Sequence, residues 1–281
     1  MWLVSLLILL PIFFLIGGGT LPEPARNWIE SVVQDDTMPS TQVVAVSFLI
    51  GAGISATPLH LFGRYLATLV HELGHAFTAG VLGGRPQQIK INLDTSGLFI
   101  PHQPGNWGRI RNSLVFVSGY FAPSVASLAA IKATQIGYPR SWFAYSVTTL
   151  AIAIVFLVRN IWGFVWTFTA AAGSVAAAKY LPVEWIAASV PGFAGYLGIE
   201  GFRDCRIQQK NVKLVPGTWC DAEGLSQLWG IKARTAAGLQ TLFVVAVSGY
   251  AAYLAIAPFD SEIISWFDDI VGSRLRDRLS L

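Results

Sequence analysis

The residues best suited to chemistry are His71, Glu72 and His75, which form the pattern HExxH. Two histidines four positions apart project from the same face of a helix, and the glutamate beside the first points about 100° around the helix. This arrangement supplies two metal ligands and a general base that can take a proton from water. The pattern predicts a hydrolytic zinc site. The alternative is an ordinary helical histidine pair whose hydrogen bonds serve no chemistry.

A catalytic zinc ion usually takes three protein ligands and keeps a fourth position for water, so a third ligand is needed. Asp221 is the favoured candidate. It stands one short polar turn before the last apolar segment, and the predicted topology puts it on the same side of the membrane as the end of the HExxH helix. The other candidates are Glu200, Asp94, His102, Asp204 and the soft ligand Cys220.

The composition is typical of a membrane protein. The chain is 53% hydrophobic and 12% charged, about half of the roughly 25% charge of soluble domains. Apolar stretches take up most of the 281 residues and leave no soluble stretch long enough for an independent core. The net charge of +3 is small. The Lys and Arg residues cluster in two connecting segments, which is informative about membrane topology and does not indicate a nucleic-acid partner. We predict an all-α polytopic membrane protein with a single domain over residues 1–281.

Eight apolar segments predict about eight transmembrane helices. The first, residues 1–17, has no basic residue ahead of it and no clear cleavage site, so we expect a retained helix and not a signal peptide. The HExxH lies in the third, residues 61–82, which ends at a glycine pair. The other helices are expected near residues 41–56, 113–135, 142–158, 161–180, 183–198 and 235–257.

Three segments outside these helices have distinct patterns. Residues 85–112 alternate apolar and polar side chains around a turn-forming Asp94-Thr95-Ser96-Gly97, which predicts a small β-hairpin. Its strand edge could pair with an extended substrate, or the hairpin could be a short loop without a role. Residues 201–234 are predicted as a basic loop that carries the aspartate motif, and residues 258–281 as a helix lying on the membrane interface.

The positions of the basic residues predict the orientation. Four predicted spans separate residues 85–112 from residues 201–234, so both segments lie on one side of the membrane. Both are rich in Lys and Arg, and loops of this kind remain in the cytoplasm. We therefore expect the HExxH helix to end at the cytoplasmic side, where Asp221 also lies.

Together these residues resemble the site-2 protease family of intramembrane zinc metallopeptidases, in particular its bacterial branch, often called peptidase M50B-like. The resemblance rests on the HExxH in a membrane helix, followed by Gly83-Gly84-Arg85 and a hairpin. It extends over nearly the whole chain through segments 118–124, 158–163 and 201–204 and through Asp221-Ala222-x-x-Leu225. The chain departs from better studied members, which have an Asp-Gly pair at the aspartate and an Asn-Pro element before it.

The resemblance implies a zinc endopeptidase that hydrolyses peptide bonds in or near transmembrane segments of membrane protein substrates. It implies one Zn²⁺ per chain, with His71, His75 and Asp221 as metal ligands and Glu72 as the catalytic base. The expected partners are a substrate with a transmembrane segment and the lipid bilayer, and the expected location is the bacterial cytoplasmic membrane. The competing hypothesis is a zinc-binding membrane protein without protease activity, such as a regulator or chaperone that keeps the fold. The intact Glu72 argues against it.

Overall fold

The structure is a computed structural model that describes residues 38–102, 108–215 and 220–279. The helices before the sheet are α1 (Thr41–Ile54) and α2 (His60–Val81), and the two strands are β1 (Arg85–Ile91) and β2 (Gly97–His102). The later helices are α3 (Arg109–Gln135), α4 (Pro139–Ile152) followed by a π-helical turn (Ala153–Leu157), α5 (Ile161–Tyr180), α6 (Val183–Leu214), α7 (Asp221–Trp229) and α8 (Ala233–Leu279). The helix predicted over residues 1–17 lies outside the described residues.

Within the described residues, four helices are long and apolar enough to cross a bilayer: α3, α4 with its π-helical turn, α5 and the Ala233–Pro258 part of α8. Helix α1 is apolar, but its 14 residues rise only about 21 Å, less than the roughly 30 Å of a bilayer's hydrocarbon core. Helix α2 carries the polar side chains of the HExxH. The predicted helical membrane fold is therefore supported, whereas the predicted count of about eight spans is not confirmed.

The hairpin predicted after the HExxH helix is confirmed, and its turn is hydrogen-bonded to α2. Strands β1 and β2 pair antiparallel, with Ile89 opposite Phe99 and Ile91 opposite Gly97. From α2, the hydroxyl of Tyr65 donates to the carbonyl of Leu93 (2.7 Å) and the hydroxyl of Thr68 donates to the carbonyl of Thr95 (2.8 Å). These bonds hold the hairpin turn against the part of α2 that precedes the HExxH in the sequence.

Two predicted boundaries are wrong, because the helices continue further than the apolar segments. Helix α6 runs to Leu214, so the predicted loop at residues 201–234 begins as helix. Residues 202–214 contain neither Pro nor Gly, and charged side chains alone do not end a helix. Helix α8 likewise continues through Pro258 to Leu279, so the tail is part of the last helix and not a separate one. Its position on the membrane interface stays a prediction.

Small residues bring the helices around α2 close together. Added side-chain carbons on Gly51 of α1 or Gly195 of α6 would overlap the backbone of the facing helix. One on Gly74 of α2 would lie 2.5 Å from the carbonyl oxygen of Ser118 on α3. Close approach at small residues is typical of helices packed in a membrane. It fixes the HExxH helix against α3. Among the described residues, one apolar cluster joins α1, α3, α4, α6 and α8 through Val44, Phe48, Ala129, Ala130, Ile131, Trp142, Val190, Ala194 and Ala251.

Candidate metal centre

Helix α2 presents the two histidines of the HExxH on one face. The Nε2 atoms of His71 and His75 lie 3.1 Å apart. The Nδ1 of His75 lies 2.6 Å from the carbonyl oxygen of Val115 on α3. A carbonyl only accepts hydrogen bonds, so Nδ1 carries a proton, and Nε2 is the nitrogen that faces Asp221 and could bind a metal. The outer nitrogen of a metal-binding histidine is usually held in this way.

Asp221 joins the two histidines from the first residue of α7. Its Oδ2 lies 3.4 Å from Nε2 of His71 and 3.2 Å from Nε2 of His75. The approach is fixed by the apolar side of α7, where Ala222 and Leu225 pack with residues of α8. Burial acts to raise the pKa of the Asp221 carboxyl, but the two imidazoles outweigh burial and hold that pKa well below its usual range. The carboxyl is therefore ionised, which is the form that binds metals.

The spacing of these three atoms can be compared with a tetrahedral zinc site. Zinc bonds to nitrogen and oxygen of about 2.0 Å at tetrahedral angles put neighbouring ligand atoms about 3.3 Å apart. The three separations here, 3.1, 3.4 and 3.2 Å, lie close to that value. Two imidazoles and one carboxylate with a fourth position open is also the donor set of catalytic zinc sites. The residues present therefore fit a zinc ion.

A glycine makes room for an ion at this point. An added side-chain carbon on Gly119 of α3 would overlap the imidazole of His75 and lie 2.6 Å from Nε2 of His71. Any larger residue would thus occupy the space that faces the ligand atoms. Tyr120, the next residue, places its ring edge-on to His71 with centroids 4.7 Å apart.

Glu72 lies beside the ligand atoms and not among them. It is 5% exposed and faces β2, where an added side-chain carbon on Gly97 would overlap its carboxylate. The backbone amide of Phe99 also faces this carboxylate, and both histidines lie within electrostatic range. A buried carboxylate next to a metal position is suited to moving a proton.

The other candidate ligands have different surroundings. Glu200 pairs with Arg203 at 2.6 Å, and Asp204 lies 3.9 Å from Arg64. Asp94 accepts bonds from Ser96 in the hairpin turn, and Cys220 packs against the apolar side of α7. The side chain of His102 lies outside the described part of the chain. Among the described residues, only His71, His75 and Asp221 form a group of at least three acidic, histidine or cysteine side chains that could hold a metal ion.

Sequence reasoning missed three parts of this centre. It did not find the carbonyl of Val115, which carries no signal because every residue has a carbonyl. Gly97 was recognised as part of the hairpin turn, but the sequence did not predict that it leaves room for the Glu72 carboxylate. Gly119 and Tyr120 were noticed only as part of a family-like segment, and nothing in their spacing placed them at the metal.

Helices long enough to cross a bilayer and a group of side chains that could hold a metal ion are together typical of a membrane-embedded metalloprotein. The family model described as peptidase M50B-like matches residues 42–254, which is more than half of the chain. The protein therefore belongs to the peptidase M50B-like family, and the resemblance to the site-2 proteases is confirmed. No curated protein and no solved structure matches the chain significantly.

Proposed function

We propose that the protein is a zinc endopeptidase that hydrolyses peptide bonds in or near transmembrane segments of membrane protein substrates. The observation that supports this most strongly is the group of three ligand atoms at tetrahedral spacing with the buried Glu72 beside it. A site that only stores or senses zinc needs no general base. Membership of a peptidase family supports the same reaction.

In this proposal, each residue of the centre has a separate task. His71, His75 and Asp221 would hold the zinc ion. When bound, zinc polarises a peptide carbonyl and lowers the pKa of water towards about 7. Glu72 would take a proton from the water molecule that attacks the carbonyl carbon. As the new C–O bond forms and the C–N bond breaks, Glu72 would pass this proton to the leaving nitrogen.

The free edge of the hairpin supports binding of an extended substrate. The outer edge of β1 is covered, because the backbone amide of Arg159 donates to the carbonyl of Ile89 (3.1 Å) and the side chain of Asn160 bonds both backbone groups of Ile91 (3.1 and 2.7 Å). In an antiparallel pair, a residue whose backbone groups point away from the partner strand lies opposite a residue whose backbone groups also point away. Gly97 and Phe99 therefore turn their backbone groups away from β1.

This edge of β2 lies next to Glu72. Within the described residues, no further strand pairs with β2. A helical peptide bond is shielded by its own hydrogen bonds, so the substrate has to unwind before water can attack it. The β2 edge could hold the unwound segment by main-chain hydrogen bonds from groups other than the Phe99 amide, which faces Glu72, with the scissile bond near the ligand atoms.

The proposed partners are a membrane protein with a transmembrane segment and the surrounding lipid bilayer. The proposed location is the bacterial cytoplasmic membrane with the active site towards the cytoplasm. The basic residues Arg85, Lys90, Arg109 and Arg111 near the hairpin, and Arg206, Lys210 and Lys213 at the end of α6, support this orientation.

Glu72→Gln tests the proposed reaction. The full chain would be purified in detergent, zinc measured by mass spectrometry, and cleavage followed on a set of synthetic single-span peptides with apolar helices of varied sequence. The amide cannot accept the proton, so we expect the variant to keep its zinc and to lose at least about 10²-fold in kcat. Glu184→Gln, which changes an exposed glutamate at the start of α6, should retain wild-type activity.

Two results would contradict the proposal. Cleavage by Glu72→Gln at the wild-type rate would show that another group is the base. If the zinc-loaded wild type cleaved none of the peptides, the protease assignment itself would be refuted and the non-proteolytic zinc-binding protein would be favoured.

A further inference from the structure

Within the described residues, the hydroxyl of Tyr120 forms no hydrogen bond, and the ring that carries it contacts His71 of the candidate metal centre. Its ring stands perpendicular to the imidazole of His71, with an interplanar angle of 86° and centroids 4.7 Å apart. The preceding residue, Gly119, is the one whose missing side chain leaves room at the ligand atoms. Tyr120 is only partly buried, so this O–H is a donor available to a ligand.

The hydroxyl and Glu72 approach the ligand atoms from different elements. The phenolic group interacts electrostatically with Asp221 at the start of α7 and with Asp204 and Cys205 of α6. Glu72 instead faces Gly97 and Phe99 of β2. A substrate carbonyl at the ligand atoms would therefore have the base on the hairpin side and an O–H donor on the side of α6 and α7.

Such a donor would add to the polarisation of the carbonyl that bound zinc supplies. When water adds to a peptide carbonyl, negative charge develops on the carbonyl oxygen, and donors already in position stabilise that charge. Glu72 cannot be this hydrogen-bond donor, because a carboxylate that acts as a base accepts a proton. Arg64 is the nearest cationic residue on α2, but it precedes His71 by seven positions, about 10.5 Å along the helix axis, and lies beside Asp204.

We propose that Tyr120 is a catalytic residue that donates a hydrogen bond from its hydroxyl to the carbonyl oxygen of the scissile peptide bond. This inference rests on the proposed peptidase function. Tyr120 keeps its proton throughout, because the proton that reaches the leaving nitrogen comes from water through Glu72. The hydrogen bond strengthens as charge builds up on the oxygen and weakens again when the carboxylate product leaves.

Tyr120→Phe tests the role of the hydroxyl alone, because phenylalanine keeps the ring against His71. On a peptide that the wild type cleaves, we expect about a 10²-fold lower kcat, the loss typical for one such donor. KM should change less than about threefold, since the interaction is made mainly in the transition state. Zinc content should equal that of the wild type. The matched control is Tyr250→Phe, which removes the hydroxyl of an exposed tyrosine on α8 and should leave kcat unchanged.

A peptidyl phosphinate provides a second measurement that a merely structural role would not change. It carries tetrahedral oxygen charge at the reaction centre, so its affinity should fall in Tyr120→Phe by about the same factor as kcat/KM. A kcat within twofold of the wild type would overturn the inference. So would loss of zinc from the variant, because the hydroxyl would then support the metal centre and not the reaction. Failure of the proposed function is distinguishable, since the wild type itself would then show no cleavage.

Discussion

Replacing Gly119 by alanine should weaken zinc binding strongly while leaving the ligand residues in the chain. The added methyl carbon would overlap the imidazole of His75 and approach Nε2 of His71 to 2.6 Å. Carbon and nitrogen that are not bonded stay well beyond 3 Å apart, so either the rings or the backbone of α3 has to move. The backbone has little freedom, because Gly74 of α2 already contacts Ser118 of α3 closely and Val115 holds His75. We therefore expect the imidazole rings to be displaced.

The expected loss of zinc affinity follows from the binding free energy that each ligand contributes. Structural zinc sites with four ligands bind with an apparent free energy of about 10–16 kcal/mol, or about 3 kcal/mol for each ligand. Displacing one imidazole should therefore weaken zinc binding about 100-fold, and displacing both should weaken it about 10⁴-fold. Gly119→Ala should bind zinc at least about 100-fold more weakly than the wild type.

Zinc affinity would be measured by competition with a chromophoric chelator, and folding by thermal unfolding of the metal-free proteins. Gly173→Ala is the matched control, because Gly173 lies within α5 and an added carbon there has no atom within 4 Å. That variant should bind zinc normally. If Gly119→Ala bound one zinc ion with wild-type affinity, the ion could not lie at the atoms that Gly119 faces, and the metal centre described above would be wrong.

Two further predictions concern neighbouring residues. Asp221→Ala removes one of three proposed protein ligands and should weaken zinc binding about 100-fold in the same competition assay. Asp94→Ala removes an acidic residue that was also a candidate ligand, and it should leave the zinc affinity unchanged. Equal zinc affinities in the two variants would exclude Asp221 as a ligand. Gly97→Ala should keep zinc but lower kcat at least about tenfold, because the added carbon would overlap the Glu72 carboxylate. Full peptide cleavage by this variant would show that Glu72 does not act from its position beside β2.

Local patterns were sufficient to predict the elements that carry the site. The HExxH helix, expected at residues 61–82, runs from His60 to Val81, and the hairpin follows it as expected. Helical spacing and strand alternation are properties of neighbouring residues, so they can be recognised without the fold. Apolar length was a poorer guide. The apolar segment predicted that α6 ends before the first charged residues. The helix continues to Leu214, and Cys205 and Gln208 in the added part are buried.

Contacts between distant parts of the chain could not be predicted in the same way. The bond from His75 to Val115 joins residues 40 positions apart, and the bonds from Asn160 to Ile91 join residues 69 positions apart. A backbone carbonyl or a single asparagine has no pattern that names its partner. The sequence therefore indicated which side chains could bind a metal, but not what holds them in place.

The departure at the aspartate motif has a structural explanation. Asp221 is followed by Ala222, where better studied site-2 proteases have glycine. Here Asp221 is the first residue of a regular helix, and Ala222 is fully buried in the first turn of that helix. A helical position does not need the conformational freedom of glycine, and alanine favours the helix by about 1 kcal/mol over glycine. The first turn of a helix also favours a negative charge. Alanine at this position is thus compatible with presenting the Asp221 carboxylate to the two histidines, and it stabilises the helix that does so.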